Sequence, residues 1–207
     1  MQLRNISRII VIALVALVGA VAIIRQQVVA HQSGGANATA PVLTGGTPLN
    51  SATPAFTLHD QTGAVVTPQS LRGHPIILTF MDMTCTQECP VIAQELQLTS
   101  NFAGAQSAGQ TEWIVVSVNP NNTPADVTAF LTKQNVSLPV KVLLGTQAEL
   151  SPVWKAFGID VQPSPTDVTH TTATFLIDQR GTERMVFLDA FDAKALAGDI
   201  STLLAAK

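Results

Sequence analysis

Four short, mostly apolar runs punctuate the chain: PIILTF (75–80), WIVVSV (113–118), VKVLL (140–144) and TTATFLID (171–178). Each is too short for a core helix and lacks a helical period, so each predicts a strand buried on both faces. Between them the apolar period lengthens to that of a helix. Pro90 to about Phe102 places Val91, Ile92, Leu96 and Leu98 in a partial stripe. Thr123-Pro124 is an N-cap and first-turn pair that opens a helix through Val127, Phe130 and Leu131. Thr146 with Glu149 forms a capping box before Leu150, Val153, Trp154 and Phe157, and Gly158 stops that helix. Asp192 caps a last helix carrying Leu196, Ile200, Leu203 and Leu204.

Hairpins complete the pattern. Phe56–Leu58, the turn Asp60–Gly63 and Ala64–Val66 predict one. TTATFLID, the turn Gln179–Gly181 and Arg184–Leu188 predict another, while Pro163 and Pro165 mark a loop. Strands alternating with helices predict an α/β domain, a central mixed sheet flanked by helices, over residues 54–207. About 155 residues suffice for one full core.

Ahead of this domain the pattern differs. Ile9–Ile24 is sixteen residues without a charge, preceded by Arg4 and Arg8 and followed by Arg25. As a helix it spans about 24 Å, short of a bilayer core of about 30 Å by an amount that tilt and snorkelling arginines absorb. Residues 1–30 thus predict a single-pass membrane anchor, with a signal peptide cleaved after Val28-Val29-Ala30 as the alternative. Either reading puts the domain on the extracytoplasmic side, anchored to the cell membrane or secreted. Residues 31–53, rich in Gly, Ala, Thr, Ser, Asn and Pro, predict a flexible tether.

Charge narrows the partners. Residues 31–207 carry 8 Lys and Arg against 14 Asp and Glu, a net charge of −6. Scattered acidic charge without a basic patch argues against nucleic acid as a partner.

The chain has only two cysteines, Cys85 and Cys89, directly after the first buried run and followed by Pro90. A bridge between such near neighbours closes a tiny loop and gains little chain entropy, which makes it a poor staple. At a helix N-terminus the partial positive charge is expected to lower a thiol pKa. The thiolate serves both disulfide exchange and metal binding, so the spacing leaves the two open. His170 directly precedes the fourth run; His31, His59 and His74 read as surface or tether residues.

The order of these segments resembles the thioredoxin-like domain of the Sco (SenC) family. The likeness runs through Phe56-Thr-Leu-His-Asp60 with Gly63, Leu71-Arg-Gly73, Cys85-Thr-Gln-Glu-Cys89-Pro90, Val116-Ser-Val-Asn-Pro120 with Thr123-Pro124, Phe157-Gly158, and His170 before Leu176-Ile-Asp-Gln-Arg-Gly181. The resemblance implies a copper site built from Cys85, Cys89 and His170. Soft thiolates suit Cu(I), and imidazole serves Cu(I) and Cu(II) alike. A structural zinc site would want a fourth ligand. The chain departs from the family pattern in three places. Thr169 stands where an aspartate usually precedes the histidine, with Asp167 two residues further back. Asn119 replaces the acid of the S-V-D-P stretch. Met81-Asp82-Met83 replaces aromatic residues ahead of the first cysteine.

The resemblance implies a membrane-tethered copper chaperone that helps assemble the copper centre of a respiratory oxidase. Its partner would be the copper-accepting subunit or another copper chaperone. The alternative is a metal-free thiol–disulfide oxidoreductase in which Cys85 attacks and Cys89 resolves. A third reading is an exported binding domain with a structural disulfide. Met83 reads as a core residue or a thioether ligand, and Asp82 as an acid near the thiols.

Overall fold

The runs PIILTF and WIVVSV lie side by side as the parallel centre of a sheet, all six residues of the first strand being buried. The computed structural model describes residues 41–163 and 168–206. In chain order the elements are β1 (Thr47–Ala52), β2 (Leu58–Asp60), β3 (Val65–Val66), a short 3-10 turn at Gln69–Leu71, β4 (Ile76–Met81), α1 (Glu88–Gly109) and β5 (Glu112–Ser117). There follow α2 (Pro124–Lys133), β6 (Lys141–Leu144), α3 (Gln147–Ala156), β7 (Val161–Pro163), β8 (Val168–His170), β9 (Ala173–Ile177), β10 (Thr182–Leu188) and α4 (Ala193–Ala205).

The main sheet has eight strands in the order β1-β10-β9-β4-β5-β6-β2-β3. Strands β4, β5 and β6 run parallel, as strand–helix–strand crossovers require. The others join antiparallel on either side. Helices cover both faces, which is why the central runs show no polar alternation. On one face Ile77 and Met81 of β4 pack with Ile92 and Leu96 of α1, Phe130 of α2, and Leu196, Ile200 and Leu203 of α4. On the other, Ile76, Leu78 and Phe80 meet Leu150, Trp154 and Phe157 around α3. There the rings of Phe80 and Phe175 sit 5.4 and 5.3 Å from that of Phe157. The indole N–H groups are satisfied, Trp154 by the Ser117 carbonyl at 2.9 Å and Trp113 by the Ala108 carbonyl at 3.1 Å. This is the mixed α/β, thioredoxin-like architecture expected, with four α-helices among the described residues.

Caps fall where the sequence puts them. Thr123 and Thr146 both close capping boxes, with Asp126 and Glu149, and the Asp192 carboxylate accepts from the N–H groups of Lys194 and Ala195. Gly158 takes a positive φ of 70° beyond α3. Helix α1 outruns its predicted end near Phe102, but Gly104 breaks it with φ 78° and ψ 159°.

Two expectations change. The tether predicted over 31–53 ends earlier: Thr47–Ala52 is an edge strand paired with β10. Five of its six residues are exposed, so it has no buried face to imprint an apolar period on the sequence. The proline-marked loop contains a hairpin, β7 with β8, held by main-chain pairing as its own two-stranded sheet. The membrane segment predicted over residues 1–30 lies outside the described residues. Among the described residues, no helix is long and apolar enough to cross a membrane.

Candidate metal centre

Strand β4 delivers the cysteines. It ends at Met81, and the chain turns at Asp82, whose carbonyl accepts from the Cys85 N–H at 3.2 Å. Four residues later α1 is under way, with Cys89 in its first turn. Cys85 is half-buried and Cys89 is 1 % exposed; both are unlinked thiols. The Cys85 side chain lies close enough to Cys89 to act on its thiol.

The electrostatics of Cys89 run opposite to the sequence expectation. Its thiol pKa is raised. Burial is the largest cause, followed by the hydrogen bond and charge of Cys85, and the Asp82 carboxylate adds to them. The Asp82 main-chain N–H alone is a lowering influence among the contacts identified. Desolvation of an anion outweighs the partial charge of a helix terminus here. Metal binding at this sulfur therefore has to displace a proton that the fold holds firmly.

Asp82 is itself 4 % exposed. Its carboxylate accepts from Thr84 N and Oγ1 at 2.9 and 2.8 Å and from Asn122 Nδ2 at 2.9 Å. Asn119 Nδ2 adds contacts at 3.2 and 3.1 Å. Asn122 Oδ1 in turn accepts from Met83 N and from Ser117 Oγ, each at 2.9 Å. Met83 is buried in the core among Ala93, Leu96 and Phe130, the packing environment that its core reading expects.

His170 ends β8 and is half-buried. Its Nδ1 lies 3.0 Å from the Thr171 carbonyl. A carbonyl only accepts, so Nδ1 carries the proton and Nε2 keeps the lone pair that a metal would use. The carbonyl thus gives the ring the support that a carboxylate at position 169 would have given. Asp167 lies outside the described residues. The strand after His170 is tied to α1 by Thr172 Oγ1, which donates to Glu88 Oε2 at 3.4 Å.

The structure brings Cys85 and Cys89 together but does not gather His170 with them. Among the described residues, no three His, Cys, Asp or Glu side chains are placed to hold one metal ion. The surroundings also include Ser117 and Asn119, which the sequence offered only as part of the Val116–Pro120 stretch, and Asn122 and Thr172, which it did not single out. For Asn122 the only signal in the sequence is that an Asn-Pro-Asn-Asn turn follows the second buried strand.

No curated protein matches the chain. Among solved structures, Bradyrhizobium japonicum ScoI with copper bound is 26% identical with a TM-score of 0.66, over 74% of this chain and 99% of that one. A SCO1/SenC family lipoprotein from Bacillus anthracis is 23% identical with a TM-score of 0.68, over 79% and 99%. Yeast Sco1 with copper bound is 21% identical with a TM-score of 0.65, over 76% and 90%. The last two likenesses speak to the fold alone. The SCO1/SenC family model matches residues 45–205, which spans the sheet, the cysteine turn and His170. With that span and this arrangement of strand, dithiol turn and helix, the chain belongs to the SCO1/SenC family.

Proposed function

We propose that this protein is a membrane-tethered copper chaperone, its domain on the extracytoplasmic side, that helps load the copper centre of a respiratory oxidase. The observation that carries the reading is the pair of unlinked thiols, one half-buried and one buried, on the turn after β4 of a SCO1/SenC domain. Two related chains of known structure have copper bound. A further related structure, in which a disulfide switch was identified, belongs to a family of cytochrome c oxidase assembly proteins.

Copper is the cargo. Cys85 and Cys89 each release a proton as the sulfurs take up Cu(I), and His170 Nε2 completes the site by moving toward them. Three ligands leave the ion open to an incoming donor, so it can be handed on. The recipient is the copper-accepting subunit of the oxidase or another copper chaperone. The Ile9–Ile24 segment supplies the membrane tether.

The test is Cu(I) stoichiometry and competition affinity of the reduced full chain in detergent. One ion per chain is expected, lost in C85S/C89S and clearly weakened in His170→Ala. Wild-type binding no tighter than the double variant overturns the reading.

The separation of His170 from the thiols favours a second reading, a thiol–disulfide oxidoreductase. The Cys85 thiolate attacks a substrate disulfide and releases one substrate thiolate. Cys89 then attacks the mixed disulfide, which frees the second and leaves Cys85–Cys89 oxidised. Here His170→Ala leaves exchange rates unchanged, and a chain that fails to reduce a test disulfide overturns it.

A further inference from the structure

A buried acid without a cation stands at the end of β4. Asp82 takes no part in the ion pairs found among the described residues, which join Lys141 to Glu112 and both Arg180 and Arg184 to Asp178. Burial of a carboxylate is tolerated only where donors replace its water. The donors here are neutral: the Thr84 amide and hydroxyl, and the side-chain amides of Asn119 and Asn122. The main chain of Asp82 does as much. Its carbonyl receives the Cys85 N–H at 3.2 Å. One residue therefore holds the cysteine turn through its backbone, while its side chain is pinned to the loop after β5.

We propose that Asp82 is a positioning residue of the dithiol: its amide-caged carboxylate fixes the cysteine turn, so that both sulfurs stay within reach of one acceptor, whether a copper ion or a substrate disulfide. The proposal rests on the reading of Cys85 and Cys89 as the working pair, but on neither the chaperone nor the oxidoreductase branch of it.

The geometry specifies a reversible exchange. Oδ1 serves Thr84 and Asn122 and, at 3.2 Å, Asn119, whereas Oδ2 faces Asn119 alone at 3.1 Å. Asp82→Asn keeps Oδ1 but puts an amide donor where Oδ2 received the Asn119 amide, donor against donor at that oxygen. Asn119→Asp sets two carboxylates face to face. Combined, the two changes restore one donor and one acceptor with the polarity reversed.

The readout is the equilibrium of the full chain with reduced and oxidised glutathione, which gives the effective concentration of Cys85 toward Cys89 independently of copper. D82N and N119D are each expected to lower it about tenfold, the size of one charge-assisted hydrogen bond, and D82N/N119D to return it to within about threefold of wild type. An unchanged value in either single variant, or a double variant no better than the worse single one, overturns the proposal. So does a fall in thermal midpoint without a change in effective concentration. Should D82N not fold, N119D decides alone, since Asn119 is half-buried and tolerates an acid sterically. A wild type that ignores copper but shows this pattern removes the chaperone reading and keeps the proposal; copper binding without the pattern does the reverse.

Discussion

Asn119 Nδ2 lies 3.1 and 3.2 Å from the two carboxylate oxygens of Asp82, joining the ends of the adjacent parallel strands β4 and β5. In the sequence these positions are two separate departures from the Sco pattern, an acid gained ahead of the first cysteine and an acid lost thirty-seven residues later. In the fold they are one feature. The acid gained faces the amide that replaced the acid lost, and two acids there would repel at hydrogen-bonding range.

Asn122 is the keystone of the same cage. At 8 % exposure it holds Met83 N, Ser117 Oγ and the Asp82 carboxylate at once. Asn122→Ala strands a buried amide and removes a donor from a buried anion. It is expected to cost about 2–4 kcal/mol in urea unfolding, against less than about 0.5 kcal/mol for the exposed neighbour Asn121→Ala. Equal costs for the two would show that the cage contributes nothing.

The two thiols should differ in reactivity. Cys89 is 1 % exposed with a raised pKa, whereas Cys85 is half-buried. The thiolate is the species that alkylates. Native, reduced protein at neutral pH is expected to take up one equivalent of iodoacetamide, at Cys85 by peptide mapping, with Cys89 following only in denaturant. Labelling of Cys89 first would reverse the assignment of attacking and resolving thiols.

Much of this was legible beforehand, for physical reasons that differ by element. The central strands announced themselves because helices cover both faces and leave no polar positions. The helix starts did so because Thr123, Thr146 and Asp192 satisfy main-chain N–H groups locally, within a few residues. β1 and the β7–β8 hairpin did not, because main-chain pairing holds them and leaves no side-chain signature. The cysteines were legible as a pair, but the direction of the Cys89 shift was not. Helix position is local, whereas burial depends on β4, α1 and the Asp82 loop closing over the sulfur.

The start of the domain is held by a second buried acid. Asp199 of α4, 3 % exposed, accepts from the N–H groups of Thr44 and Gly45, each at 2.9 Å. The chain can lie this close only because Gly45 and Gly46 lack side chains; a Cβ on Gly46 would stand 2.8 Å from the Val186 carbonyl and 2.9 Å from the Phe187 ring. Asp199→Ala is expected to cost about 2–3 kcal/mol and to accelerate amide exchange in β1 ahead of the rest of the sheet. Gly46→Val should do the same through overpacking. Unaltered β1 protection in both variants would mean that β10 pairing alone retains the strand.

Glu183 gives a pH dependence with a definite sign. It is 7 % exposed on β10, directly opposite Ser51, whose hydroxyl donates to it at 2.7 Å. Burial raises its pKa above the ordinary 4.5, and the Ser51 hydrogen bond only partly opposes that. The unfolded chain therefore ionises first as pH rises. Below 4.5 both states are protonated and the fold bears no penalty; above the raised folded value both are ionised and the penalty is complete. Glu183→Gln keeps an acceptor for Ser51 and removes the charge. It is expected to raise the urea midpoint at pH 7, and the advantage should shrink as the pH falls through the raised value and vanish below 4.5. A variant that gains nothing at pH 7, or gains equally at both ends, would show that the buried carboxylate is not a desolvated charge.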